Sequence, residues 1–176
     1  IAYTMITAPD DTAFAAYFFN NTGDSSSTEL LDSFVDYAGI DTKKHDAYID
    51  ASMHYGDAAD NMTGYGYVDL EKSIAAKELD VLVGDQSAFD YYCKSEVFSD
   101  ITTVLPDDLM EQFKDKLYYY TNEETNETLP LGIDVSDAPK LQEYHYYDGI
   151  TAYFGFIVNS DSVDNAIAFL RYIYEE

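Results

Sequence analysis

LDVLVGDQSAFDYYC, residues Leu79 to Cys93, is the stretch on which the reading of this chain turns. An apolar run, Leu79 to Val83, stops at Gly84-Asp85, and Ser87 can cap the helical pattern that follows. A strand that hands over to a helix in this way delivers a polar turn and a helix N-terminus to one edge of a sheet. In open α/β sheets, ligand crevices lie at that edge, outside the carboxyl ends of the strands. A binding domain is the first expectation.

Working outward, Ile1 to Thr7 (IAYTMIT) is apolar and β-prone and reads as a strand. Ala8-Pro9-Asp10-Asp11 breaks it, and Thr12 to Phe19 reads as a short helix with an aromatic face. Asn20 to Ser27 is a loop, after which Thr28 or Ser27 caps a helix carrying Leu31, Phe34, Val35 and Ala38 and stopping at Gly39. Ala47 to Ile49 is a short strand ending at Asp50-Ala51-Ser52. Asp57 to Gly66 is loop, and Val68 to Lys77 is helical with Leu70, Ile74 and Ala75 inward. Beyond Cys93, Leu105-Pro106-Asp107-Asp108 is a helix start, with proline in the first turn and acids at the positive end of the dipole. Its expected stripe is Leu109, Met110, Phe113 and Leu117. Leu117 to Tyr120 and Leu131 to Val135 read as strands around an acidic turn. Thr151 to Val158 (TAYFGFIV) reads as an interior strand buried on both faces. A last helix presents Val163, Ala166, Ile167, Leu170 and Ile173 on one side. Strands alternating with helices predict a single three-layer α/β domain over residues 1–176 with a mixed, mostly parallel sheet.

Composition narrows the function classes. The chain has 176 residues, is 47% hydrophobic and carries a net charge of −25 from 34 acidic and 9 basic residues. It is too rich in aromatics for a disordered acidic tail. A phosphate backbone or an anionic lipid surface would be repelled, so nucleic acid and acidic membranes are not expected partners. Cations and basic partners would be attracted, and a plain solubilising role explains the charge equally well. Cys93, the single cysteine, rules out an internal disulfide and reads as a small buried hydrophobe. No run approaches the ~18 apolar residues of a membrane span. The chain opens on Ile1 within a strand-like run instead of on Met, so a removed leader or anchor is expected.

Two segments carry a resemblance. KSIAAKELDVLVGDQSAFDYYCKSEVFSDITTVLP, Lys72 to Pro106, resembles a segment of the type 2 extracellular (periplasmic) solute-binding proteins of bacterial transporters. There a helix precedes an "xDVVxG" strand, and a short helix and a "DL" follow. The matching residues are Asp80, Val81, Gly84 and Asp100-Ile101. YFGFIVNSDSVDNAIAFLRYIYEE is similar to the late strand and "AxxFLxxL" helix of that family, through Ala166, Phe169, Leu170 and Ile173. The resemblance implies one lobe of such a protein, in single-lobe form. It also implies a bacterial, extracellular, cell-surface domain held by a lipoprotein or other N-terminal anchor, monomeric and non-catalytic.

The candidate ligand edge gathers the ends of three expected strands. Thr7 follows the first, Asp50 and Ser52 the second, and Asp85, Gln86 and Ser87 the third. Short polar side chains and helix N-terminal amides suit a small polar solute there. Capping and turn chemistry use the same residue types. Tyrosine is the second feature, with 18 copies against no tryptophan. Tyr118-Tyr119-Tyr120 and Tyr144, Tyr146 and Tyr147 form either a face for a protein or glycan partner or, by alternation, core and sheet-edge cover.

Asp10-Asp11, Asp57/Asp60 and Glu123-Glu124 are dense in oxygen ligands, but none fits a calcium loop. His45, His54 and His145 lack zinc-ligand spacing. No metal or cofactor is expected. Nucleophile elbow, Walker loop and GxGxxG are all missing from the sequence. Carboxylate pairs abound, but in so acidic a chain they are expected by chance. Sequons begin at Asn20, Asn61 and Asn126 and would carry no weight in the bacterial protein that the resemblance implies. The expectation is a non-enzymatic recognition domain for a small solute or an accessory module. The alternative is a cell-surface interaction protein using its tyrosine-rich face.

Overall fold

Strand β1, Asp11–Phe19, is the axis of the structure, a computed structural model that describes residues 11–55 and 70–176. The strand expected over Ile1–Thr7, with Thr7 itself, and the loop expected over Asp57–Gly66 lie outside the described residues. β1 corrects the helix expected over Thr12–Phe19. Phe14, Ala16 and Phe18 enter one core while Ala15, Tyr17 and Phe19 enter another. A strand covered on both faces is apolar throughout, so its alternation is invisible in the sequence.

The remaining strands are β2 (His45–Met53), β3 (Val81–Gly84), β4 (Leu117–Thr121), β5 (Thr128–Asp134) and β6 (Tyr153–Phe156). They form one open sheet in the order β2-β1-β3-β6-β5-β4. β1 pairs in parallel with β2 and β3, whereas β3/β6, β6/β5 and β5/β4 are antiparallel. The sheet is therefore mixed, parallel only in its first half, which corrects the mostly parallel expectation. A tight turn makes β4 and β5 a hairpin, and β6 enters antiparallel between β3 and β5. As expected, β6 is an interior strand.

Helices cover both faces. α1 (Glu29–Ala38), α3 (Asp107–Phe113) and α5 (Val163–Ile173) contribute to one core with Phe14, Phe18 and Phe154. Phe14 meets Phe34 at 4.9 Å between ring centres, and Phe34 meets Phe169 at 5.0 Å. The short helix α4 (Pro139–Glu143) adds Leu141 to this layer. On the other face lie α2 (Gln86–Lys94) and a helical segment, residues 70–75, whose Leu70 is buried while Ala75 is exposed.

Local signals set most of the helix ends. α1 stops where Gly39 takes φ 68°, the left-handed conformation that glycine adopts without steric cost. Thr28 holds its N-cap position without a side-chain cap bond, and the Glu29 N–H donates to Ser27 Oγ at 3.3 Å. Leu30 and Phe34, rather than Leu31, are its buried residues. α3 starts directly after Pro106 and buries Leu109 and Phe113, while Leu117 opens β4. α5 buries Ala166, Phe169, Leu170 and Ile173, whereas Val163 is exposed. The cap of α2 is Asp85, not Ser87: its carboxylate accepts the Ala88 N–H at 3.1 Å.

Candidate functional site

From β1 the chain runs to β2 on one side, and β3 then pairs on the other side of β1. The order of strand addition therefore reverses between the parallel strands β1 and β3, and their carboxyl ends are a topological switch point. Phe19 and Gly84 are paired at the ends of these strands, and the next residues are Asn20 and Asp85. Asn20 turns out of the strand at φ 56°, a conformation asparagine tolerates better than most residues. Its N–H donates to the Met53 carbonyl at 2.9 Å, fastening β1 to β2. Its Nδ2 donates to the Tyr55 carbonyl at 2.7 Å and to Asp85 Oδ1 at 3.0 Å. The Tyr55 N–H returns a bond to Asn20 Oδ1 at 2.7 Å. One amide side chain thus ties the ends of all three parallel strands together.

Asp85 is the second hub. Its Oδ1 accepts from Asn20 Nδ2, from Ser87 Oγ at 3.0 Å and from the Ala88 N–H. The N-terminus of α2 begins beside it, where the Gln86 and Ser87 amides have no acceptor within the helix. Beneath, the Tyr147 hydroxyl is shared between the carbonyls of Phe19 at 2.8 Å and Val83 at 3.1 Å. Burial pushes this phenol far above its usual range, with the Asp85 charge adding to the effect, so it stays protonated and donates. Tyr147 closes the floor of the switch point, and Asn20, Asp85 and Ser87 form its polar rim. Such an arrangement offers hydrogen-bond acceptors, backbone donors and one carboxylate to a small ligand.

The expected site residues divide. Asp85 and Ser87 come together with Asn20. Gln86 instead lies near the Tyr118 hydroxyl, which itself donates to Asp90 Oδ1. Asp50 and Ser52 lie within β2, where Asp50 Oδ1 accepts from both the N–H and the hydroxyl of Ser52. Asp50 sits beside Tyr17, two residues before β1 reaches Phe19, and β1 separates it from β3. Asn20, Tyr55 and Tyr147 are the residues that sequence reasoning missed. The Asn20-Asn21 pair after an apolar run is a left-handed turn signal that can be found locally. The Tyr147 contact spans 128 positions, and no local pattern announces it.

The tyrosine clusters follow strand alternation. Tyr118 and Tyr120 pack toward α2, while Tyr119 points away with 58% exposure. Tyr146 and Tyr147 are buried. Cys93 is also buried, and burial, reinforced by the Asp90 charge, raises its thiol well beyond thiolate formation at neutral pH. Among the described residues, no three His, Cys, Asp or Glu side chains gather as metal ligands, and no helix is long and apolar enough to cross a membrane. A cleft of about 520 Å³ holding the hydrogen-bonded His45–Asp11 pair opens where β1 and β2 begin, at the edge opposite the switch point. The chain matches no protein-family model, no curated protein and no solved structure.

Proposed function

We propose that this chain is a non-catalytic, extracellular recognition domain of solute-binding-protein ancestry that takes a small polar solute at the β1–β3 switch point. The observation that carries this reading is the Asn20–Asp85 contact across the ends of β1 and β3, beside the N-terminus of α2. Ligands of open α/β sheets collect at such points because neighbouring loops diverge there and leave a crevice. With Asp85 on the rim and a net charge of −25, the site favours neutral or cationic solutes over anions. The cell-surface placement, on an N-terminal anchor, accompanies the resemblance to that family. The second reading is a cell-surface structural or interaction protein that meets a protein or glycan through a tyrosine on edge strand β4. The 58% exposure of Tyr119 there supports it.

A thermal-shift screen with amino acids, short peptides, sugars and polyamines tests the first reading. A solute at ~100 times its Kd adds about 2.7 kcal/mol of stability. One chemical class should raise the Tm saturably, and Asp85→Asn should abolish the rise. Asparagine keeps the helix cap while removing the charge. Silence across the panel from a folded protein, or a shift that Asp85→Asn leaves intact, overturns it.

A further inference from the structure

We infer that the cavity between the C-terminal end of α2 and the β4–β5 hairpin is a separate binding site for a small organic ammonium ion. The cavity has a volume of about 180 Å³. Phe98, Leu129 and Leu131 give it an apolar floor, Tyr120 forms a wall, and Glu96 and Glu127 stand at its rim. Among the described residues that line it, the two glutamates are the only charged groups. The other titratable neighbours, Cys93 and Tyr120, are both raised by burial and stay neutral. An alkyl body on the floor, an ammonium head between two carboxylates and an aromatic face beside it meet each part of this lining. At ~30 Å³ for each water-sized group, the volume suits a ligand of about six heavy atoms. A bare metal ion would find too few oxygens here, and an anion would meet two like charges.

The two glutamates are carried by different elements, whose backbone bonds set where each sits. Glu127 follows a closed turn in which the Asn122 N–H donates to the Glu127 carbonyl at 2.9 Å and the Asn126 N–H to the Asn122 carbonyl at 2.8 Å. Glu96 ends α2. Its N–H donates to the Cys93 carbonyl at 3.1 Å, and the Val97 N–H donates to the Tyr92 carbonyl at 3.5 Å. This paired-bond helix ending places Glu96 at φ 59°, in the position where helices usually carry glycine. Glu96 lines the cavity from a backbone conformation that glycine would adopt with less strain.

The site lies at the opposite end of α2 from Asp85, so it stands or falls independently of the switch-point reading. The test is an NMR titration of the isotopically labelled chain with n-pentylammonium chloride, with 1-pentanol and sodium pentanoate in parallel. The amine should bind saturably and move the signals of residues 93–98 and 120–131, and the alcohol and the acid should not. Glu96→Gln and Glu127→Gln, both at exposed positions, should each weaken binding about fivefold. Glu96→Gly should weaken it likewise while raising the Tm, which separates loss of the site from loss of the fold. Equal binding of pentanol, unchanged affinity in both glutamine variants, or shifts centred on residues 20 and 85–88 would each overturn the assignment.

Discussion

Asp80 is the charged side chain that the described core buries, with 1% exposure. Its Oδ2 accepts the Ala15 N–H at 2.8 Å, and its Oδ1 accepts the Ser160 hydroxyl at 2.6 Å. The carboxylate thus clamps β1 to the turn that follows β6. Desolvation raises its pKa, and the bonds from Ser160, Ala15 and Ser162 oppose that rise. Asp80→Ala should destabilise the protein by about 1–3 kcal/mol, because the Ala15 N–H is left buried without its acceptor. The pH dependence has a definite sign. A carboxyl whose pKa is raised on folding stabilises fully below its unfolded value, and loses that stabilisation as pH rises through the folded value. Urea denaturation of parent and variant should therefore show a larger gap near the ordinary carboxylate pKa than at neutral pH. A gap that widens toward neutral pH contradicts the buried-carboxylate account.

At the scale of elements, the fit between α2 and the sheet depends on two glycines. A Cβ on Gly132 would meet the Phe89 ring at 2.6 Å, and one on Gly155 would meet the Phe98 ring at 2.5 Å. Phe89 and Phe98 stack at 4.4 Å between centres, so neither ring can withdraw without breaking the pair. Gly155→Ala should cost about 1–3 kcal/mol by overpacking, read as a lower urea midpoint. A midpoint matching the parent would show that the layer is loose. The same elements show what a sequence can and cannot disclose. α5 and β4 are legible because each has one wet face, and so each has a period. β1 is not, because Phe14 to Phe19 are buried on both sides. Asp85 displaces Ser87 as the cap because the helix starts two residues earlier than Ser87 suggests. Strand order lies beyond local reading altogether. Nothing in TAYFGFIV states that this strand runs antiparallel beside β3, and nothing in the Tyr144–Tyr147 cluster states that Tyr147 closes the floor between β1 and β3.

For the whole molecule, the charge of −25 is the governing quantity. The exposed ion pairs, such as Arg171 with Asp108 at 2.7 Å, are individually worth little. Repulsion among the remaining carboxylates opposes the compact state. Raising NaCl from about 0.01 M to about 1 M shortens the Debye length from ~30 Å to ~3 Å, and the Tm should climb across that range. A Tm that falls with salt would mean that attractive pairs outweigh the repulsion. The same field bears on recognition, since it concentrates cations near the surface while excluding polyanions.

The central claim is that solutes are recognised where β1 and β3 end. NMR spectra of the labelled chain, recorded against pools of amino acids, sugars, short peptides and polyamines, test it most directly. The account predicts that one class moves the Asn20 side-chain amide and the Ser87 and Ala88 backbone amides together and saturably. A well-dispersed spectrum in which no class moves those three signals would contradict it.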